Sequence, residues 1–189
     1  MRRPVFLLLA AAAAAGSVPA SAEVIASSEQ GFVSHNEALV AATPAQTWEQ
    51  IVRPAGWWNG DHSYSGDPAN MTLAPVAGGC FCEAIPAAGD AAAGEVEHMR
   101  VLYASPGRIL RLRGSLGPLQ SEAVTGVLTI TLLPEDDMTR LRWEYVVGGY
   151  MRMPMAELAP IVDQVVGEQL LRLATRLGVK MDPVSRRGL

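Results

Sequence analysis

Near the C-terminus, apolar residues recur at helical spacing. Leu158, Val162, Val165, Val166, Leu170, Leu173 and Leu177 share one face, while Asp163, Gln164, Glu168, Arg172 and Thr175 fall on the other. Within the run Met155 to Leu177, Pro160 lacks an N–H and is tolerated best in a first turn, so the ordered helix is expected to start near it. Gly178 supplies a C-terminal stop, preceded by Arg172 and Arg176, whose charges suit that end of the helix dipole. One residue breaks the apolar face: Gln169 projects close to its centre.

Upstream, the pattern switches to short alternating runs. Phe32–Val40 reads as a first strand, followed by Thr43-Pro44, an N-cap with proline at the first helical position. A short helix over Ala45–Val52 carries Trp48 and Ile51 inward, and Pro54 ends it. Trp57-Trp58 then leads into a polar loop, Asp61 to Asn70. Six further strands are predicted over residues 71–75, 80–85, 95–103, 109–113, 123–133 and 141–147, separated by turn signals such as Gly78-Gly79, Pro106-Gly107 and Asp136-Asp137. In the fourth run, Met99, Val101 and Tyr103 alternate inward, which sends His98 and Arg100 outward with Arg111 and Arg113. Short connections between successive strands mean an antiparallel meander, and a long one-sided helix needs such a sheet to lie against. The predicted fold class is α+β, a curved antiparallel sheet of about seven strands around the C-terminal helix.

The 189 residues fit one domain, and a net charge of −4 with no basic stripe argues against nucleic acid as a partner. The apolar content of 49 % is high, and part of the excess lies in the first 22 residues. Met1-Arg2-Arg3 is a basic start, and Val5 to Ala15 is an apolar run well short of the roughly 20 residues that span a bilayer. Ala20-Ser21-Ala22 matches a small-x-small cleavage pattern. The expectation is a signal peptide over 1–22, a periplasmic or secreted protein starting at Glu23, and no membrane span after cleavage. A small, polar lead-in over 23–30, a domain over 31–180 and a tail over 181–189 complete the predicted organisation.

The strand–Thr43-Pro44–helix opening with Trp48, the Trp57-Trp58 pair, the block Gly78-Gly79-Cys80-Phe81-Cys82-Glu83, the Pro106-Gly107 turn before Leu110 and the terminal helix resemble the START-like, or SRPBCC, superfamily. That superfamily includes the birch pollen allergen and the polyketide cyclases, and the resemblance covers about Phe32 to Gly178. It implies a helix-grip fold with a cavity between sheet and helix. It also implies a range of roles, from binders of lipids and hormones to aromatase/cyclases and partners of a heat-shock ATPase. An export signal departs from the last group. The favoured expectation is a binder of a small hydrophobic, lipid- or polyketide-like molecule. The alternatives are a cyclase/dehydrase-like enzyme using the same cavity, and a periplasmic interaction protein whose cavity is filled by side chains.

The candidate residues follow from these faces. Trp57 and Trp58 either plug the core or wall a ligand, and Trp143 and Tyr145 face inward with the same two readings. Val165 on the helix and Leu112 on a strand complete the cavity candidates with Gln169, whose amide needs a buried partner or a polar cavity. In the enzyme reading, Gln169, Tyr145 or His62 would orient and protonate a substrate. Glu83 and His98 lie on neighbouring strands; an acid/base pair is conceivable, but strand parity favours a surface charge pair. Cys80 and Cys82 sit about 6.5 Å apart along an ideal strand, near the upper limit for bridging, so two free thiols are expected. With Glu83 and His98 they offer zinc-type ligands at no recognisable spacing. No metal or cofactor site is expected, and no nucleophile elbow or phosphate loop is present.

Overall fold

The computed structural model describes residues 21–178. The elements, in chain order, are β1 (Ser21–Ser28), β2 (Gly31–Val40), α1 (Pro44–Ile51), β3 (Met71–Leu73), β4 (Cys80–Ile85), β5 (Gly94–Ser105), β6 (Ile109–Gly114), β7 (Ala123–Glu135), β8 (Met138–Tyr150) and α2 (Met155–Arg176). Short 3-10 turns, including Gly60–His62 and Gly117–Ser121, punctuate the loops. All eight strands form one open, curved antiparallel sheet in the order β1-β2-β8-β7-β6-β5-β4-β3. The meander from β3 to β8 is as the sequence predicts, and the first hairpin closes on its far side through β2 and β8.

The first strand, β1, is a correction. The stretch expected to be a flexible lead-in pairs along β2, with Glu23 opposite His35 and Ser28 opposite Gly31. Small polar residues give an edge strand no hydrophobic alternation to read, yet they can still complete its backbone hydrogen bonds. The expected signal peptide lies almost wholly outside the described residues, as does the tail from 181. Among the described residues no helix is long and apolar enough to cross a membrane.

α1 starts as expected. Thr43 accepts the N–H of Gln46, and the Gln46 side chain accepts the Thr43 N–H, which completes a capping box. Trp48 and Ile51 are buried. α2 starts at Met155, earlier than expected, which leaves Pro160 inside it. It lies across β1 and β2 with Leu158, Val162, Val166, Leu170 and Leu173 buried.

Asp163 corrects the reading of the polar face. It is buried against β2, where Ser34 Oγ donates to its Oδ1 at 2.6 Å and Asn36 Nδ2 donates to the same oxygen at 3.1 Å. Helical phase places a residue on a face; it does not tell that a strand presents two polar side chains there.

Two bulges shape the far half of the sheet. Phe81 pairs with Met99 but Cys82 pairs with Glu97, so His98 is an extra residue on β5. Both His98 and Met99 are consequently buried. A second slip between Val101 and Tyr103 leaves Leu102 unpaired, and Tyr103, expected inside, is exposed. Opposite the first bulge, Gly114 gives the backbone room: a Cβ there would lie 2.4 Å from the His98 carbonyl oxygen.

Cys80 and Cys82 are bonded to each other, contrary to the expected free thiols. Their Cα atoms are 5.4 Å apart, closer than an ideal strand allows, at the position where β4 meets the bulge.

Candidate functional site

Between the sheet and α2 lies a cavity of about 420 Å³. Leu128 of β7 and Trp143 of β8 form its floor, with His98 on the same wall. Leu158, Val162, Val165, Val166 and Gln169 of α2 roof it. The loop from Asp61 to Tyr64 and the turn Leu116-Gly117-Pro118 enclose its ends.

α2 holds the chain from Trp57 to His62 by Gln169 on its apolar face and by Glu168 and Arg172 on its polar face. Gln169 Oε1 accepts the Asn59 N–H at 2.8 Å, and Glu168 accepts from the Asn59 side chain. The other Glu168 oxygen meets His62 Nε2 at 3.1 Å, and Arg172 Nε donates to the Trp57 carbonyl at 3.0 Å. Burial pushes the Glu168 carboxyl up, but its bonds from Asn59 and His62 outweigh that and its pKa is lowered. Tyr64 ties the loop to the opposite rim, its hydroxyl 3.1 Å from both the Gly117 carbonyl and Gln120 Oε1.

The sequence candidates divide around this cavity. Trp58, Trp143, Val165, Gln169 and His98 line it. Trp57 and Leu112 lie behind it, around a void of about 30 Å³. Trp57 packs edge-on against Trp143 at 5.8 Å, and Trp58 against Phe81 at 5.2 Å. Both indole N–H groups are committed to backbone: Trp57 to the Gln50 carbonyl and Trp58 to that of His62. Tyr145, also a candidate, is not among the residues that line the cavity. Its hydroxyl donates to the Gly114 carbonyl at 3.2 Å, accepts the Leu116 N–H, and is held well above its usual pKa by burial.

Two residues that line the cavity carry buried N–H donors with no protein partner. Gln169 is 1 % exposed; with its oxygen fixed on Asn59, its Nε2 is left unpaired. Trp143 Nε1 is also buried and unpaired. Buried donors of this kind are costly while they lack an acceptor.

The Glu83–His98 pair is buried, not on the surface as parity suggested; the extra residue in β5 reverses the facing of His98. His98 Nε2 meets Glu83 Oε2 at 3.0 Å. Glu83 also accepts the N–H groups of Tyr64 at 3.0 Å and Ser65 at 2.5 Å. Burial pushes the Glu83 carboxyl up, but the bonds from Ser65, Tyr64 and His98 outweigh it and leave its pKa lowered. Burial pushes the imidazole down further than Glu83 draws it up, so its pKa lies below the ordinary histidine value. The ring lies 5.1 Å from that of Phe81 and 5.9 Å from that of Tyr64. A glycine within a strand is a sequence sign of such a bulge, and Gly114 at the end of β6 was that sign here.

Among the described residues no group of three or more His, Cys, Asp or Glu side chains is placed to hold a metal ion.

No family model matches the sequence, and no curated protein does. Solved structures match its fold. The Mll3558 protein of Rhizobium loti is 17 % identical with a TM-score of 0.55, over 78 % of this chain and 97 % of that one. A Rhizobium leguminosarum protein is 16 % identical with a TM-score of 0.55, over 85 % and 98 %. The Aha1 protein of Colwellia psychrerythraea is 11 % identical with a TM-score of 0.50, over 77 % and 95 %. These likenesses are to bacterial proteins, and at such identities they concern the fold alone.

Proposed function

We propose that this protein is an exported binder of a small, mainly apolar molecule carrying a hydrogen-bond acceptor, held between the sheet and α2. The observation that carries the reading is the chamber of about 420 Å³, within the size range of small-molecule sites, two of whose lining residues, Gln169 and Trp143, carry buried N–H groups without a protein partner. An apolar wall supplies affinity, and a turn of the Gln169 amide about its Asn59 bond would bring its free N–H to a carbonyl, ether or carboxylate oxygen and fix orientation. A chamber of this size counts against the reading in which side chains fill the space. Export rests on the basic start, apolar run and Ala20-Ser21-Ala22 pattern, and the Cys80–Cys82 bond suits an oxidising compartment.

The test is a fluorescence titration, since Trp58 and Trp143 wall the chamber. Medium-chain fatty acids, aromatic ketones and aromatic alcohols form the panel. The expected result is saturable quenching by acceptor-bearing members, with Gln169→Leu weakening their binding about tenfold, as the loss of one hydrogen bond implies. No response from any member, or equal affinity in Gln169→Leu, contradicts the reading.

A further inference from the structure

We propose that the cavity is also catalytic: His98, positioned by Glu83, takes a proton from a carbon next to a carbonyl group of the bound molecule. This rests on the reading that the cavity holds a small molecule, and goes beyond binding.

The argument starts from what a packing role would require. A buried histidine that only fills space needs both ring nitrogens satisfied or shielded. Here the ring stands in the cavity wall, and Glu83 is its hydrogen-bond partner among the described residues. Glu83 is itself fully buried and clamped by two backbone N–H groups, so the carboxylate cannot turn away. An ionised carboxylate at Nε2 requires the proton there, which leaves the Nδ1 lone pair as the basic site. The carboxylate then stabilises the imidazolium that forms when Nδ1 takes a proton. Gln169, on the roof of the same cavity, supplies the second requirement: its buried, unpaired Nε2–H becomes a donor to an oxygen on which negative charge develops once the amide turns about its Asn59 bond.

The step balances without a co-reactant. Nδ1 of His98 takes the proton from the carbon, and the C–H electron pair becomes the C=C bond of an enolate. The carbonyl π pair moves to oxygen, which accepts the hydrogen bond from Gln169. The imidazolium exchanges its proton with solvent and delivers a solvent hydron to the same carbon, giving exchange, or it returns the proton to a conjugated carbon, giving an isomer. The substrate class is therefore an apolar ketone with an acidic α-C–H.

The experiment follows loss of the α-proton signals of β-tetralone and phenylacetone by NMR in deuterated buffer, with binding measured in parallel by tryptophan fluorescence. The expected result is exchange of a bound ketone on the order of 100-fold above buffer. His98→Gln, which can still donate to Glu83, returns exchange to the buffer rate while the ketone still binds. Glu83→Gln slows exchange at least tenfold and shifts its pH profile. The titratable groups sharing the His98 surroundings are Glu83, Asp61, His62 and Tyr64, and α2 presents none to the cavity. A ketone that binds the unaltered protein but exchanges at the buffer rate overturns the proposal, whether or not the variants fold. So does full-rate exchange in His98→Gln. If neither ketone binds, the binding reading for this substrate class falls, and this inference falls with it.

Discussion

His98 and Glu83 meet at 3.0 Å on the inner side of the sheet because β5 carries one residue more than β4 between paired positions. The pair sets the acid sensitivity of the fold. The folded pKa of His98 lies below its ordinary value, so the unfolded chain binds more protons as pH falls through about 6.5. The stability contributed by the neutral ring is complete above that pH and is lost as pH falls toward the folded value. Glu83, also lowered, adds a second loss below about 4.5. The melting temperature is expected to drop between pH 7 and pH 5, and to drop less in His98→Gln. Parallel curves for the two proteins contradict this account.

Removing Glu83 altogether tests the clamp. Glu83→Ala leaves the Tyr64 and Ser65 N–H groups and the His98 ring without their shared acceptor. The expected cost is about 3 kcal/mol, read from urea unfolding. Amide exchange of Tyr64 and Ser65 should accelerate in the folded state as well.

Gly126 and Tyr145 form a second exact fit, unrelated to the cavity wall. A Cβ on Gly126 would lie 2.2 Å from the Tyr145 ring. Gly126→Ala should therefore destabilise by about 2 kcal/mol through overpacking. The same change in a Tyr145→Leu background should cost measurably less, which a double-mutant cycle reads directly.

The Asp163 anchor predicts a third cost. Asp163→Ala removes the acceptor of Ser34 and Asn36 under α2, for about 2–3 kcal/mol. Its unfolding midpoint should fall with an unchanged denaturant slope.

The Cys80–Cys82 bond, by contrast, closes a very short loop. Reducing it should lower stability by only on the order of 1–2 kcal/mol in the chain-entropy view. A collapse of the fold on reduction would show that the bond also holds the β4–β5 bulge.

Most of the architecture was legible in the sequence. The α2 stripe stands out by its helical period, α1 by its Thr43-Pro44 start, and seven strands by short runs set off by turn signals. Gln169 was legible as a polar break in that stripe, and it is buried at the cavity. The misses share a cause. β1 is an edge strand of small residues with no apolar alternation, and its pairing is carried by backbone. His98, Tyr103 and the cysteines were placed by counting alternate positions, and one inserted residue undoes such a count. Asp163 lies on the predicted polar side of the helix, but Ser34 and Asn36, far away in sequence, make that position a buried one.

The central claim is that the cavity under α2 holds a small molecule, and native mass spectrometry of the protein released gently from its own host tests it most directly. The account predicts a bound mass of a small, mainly apolar compound that is lost from the Gln169→Leu protein. An unliganded mass in both proteins, with no thermal shift across lipids and aromatic ketones, would contradict it.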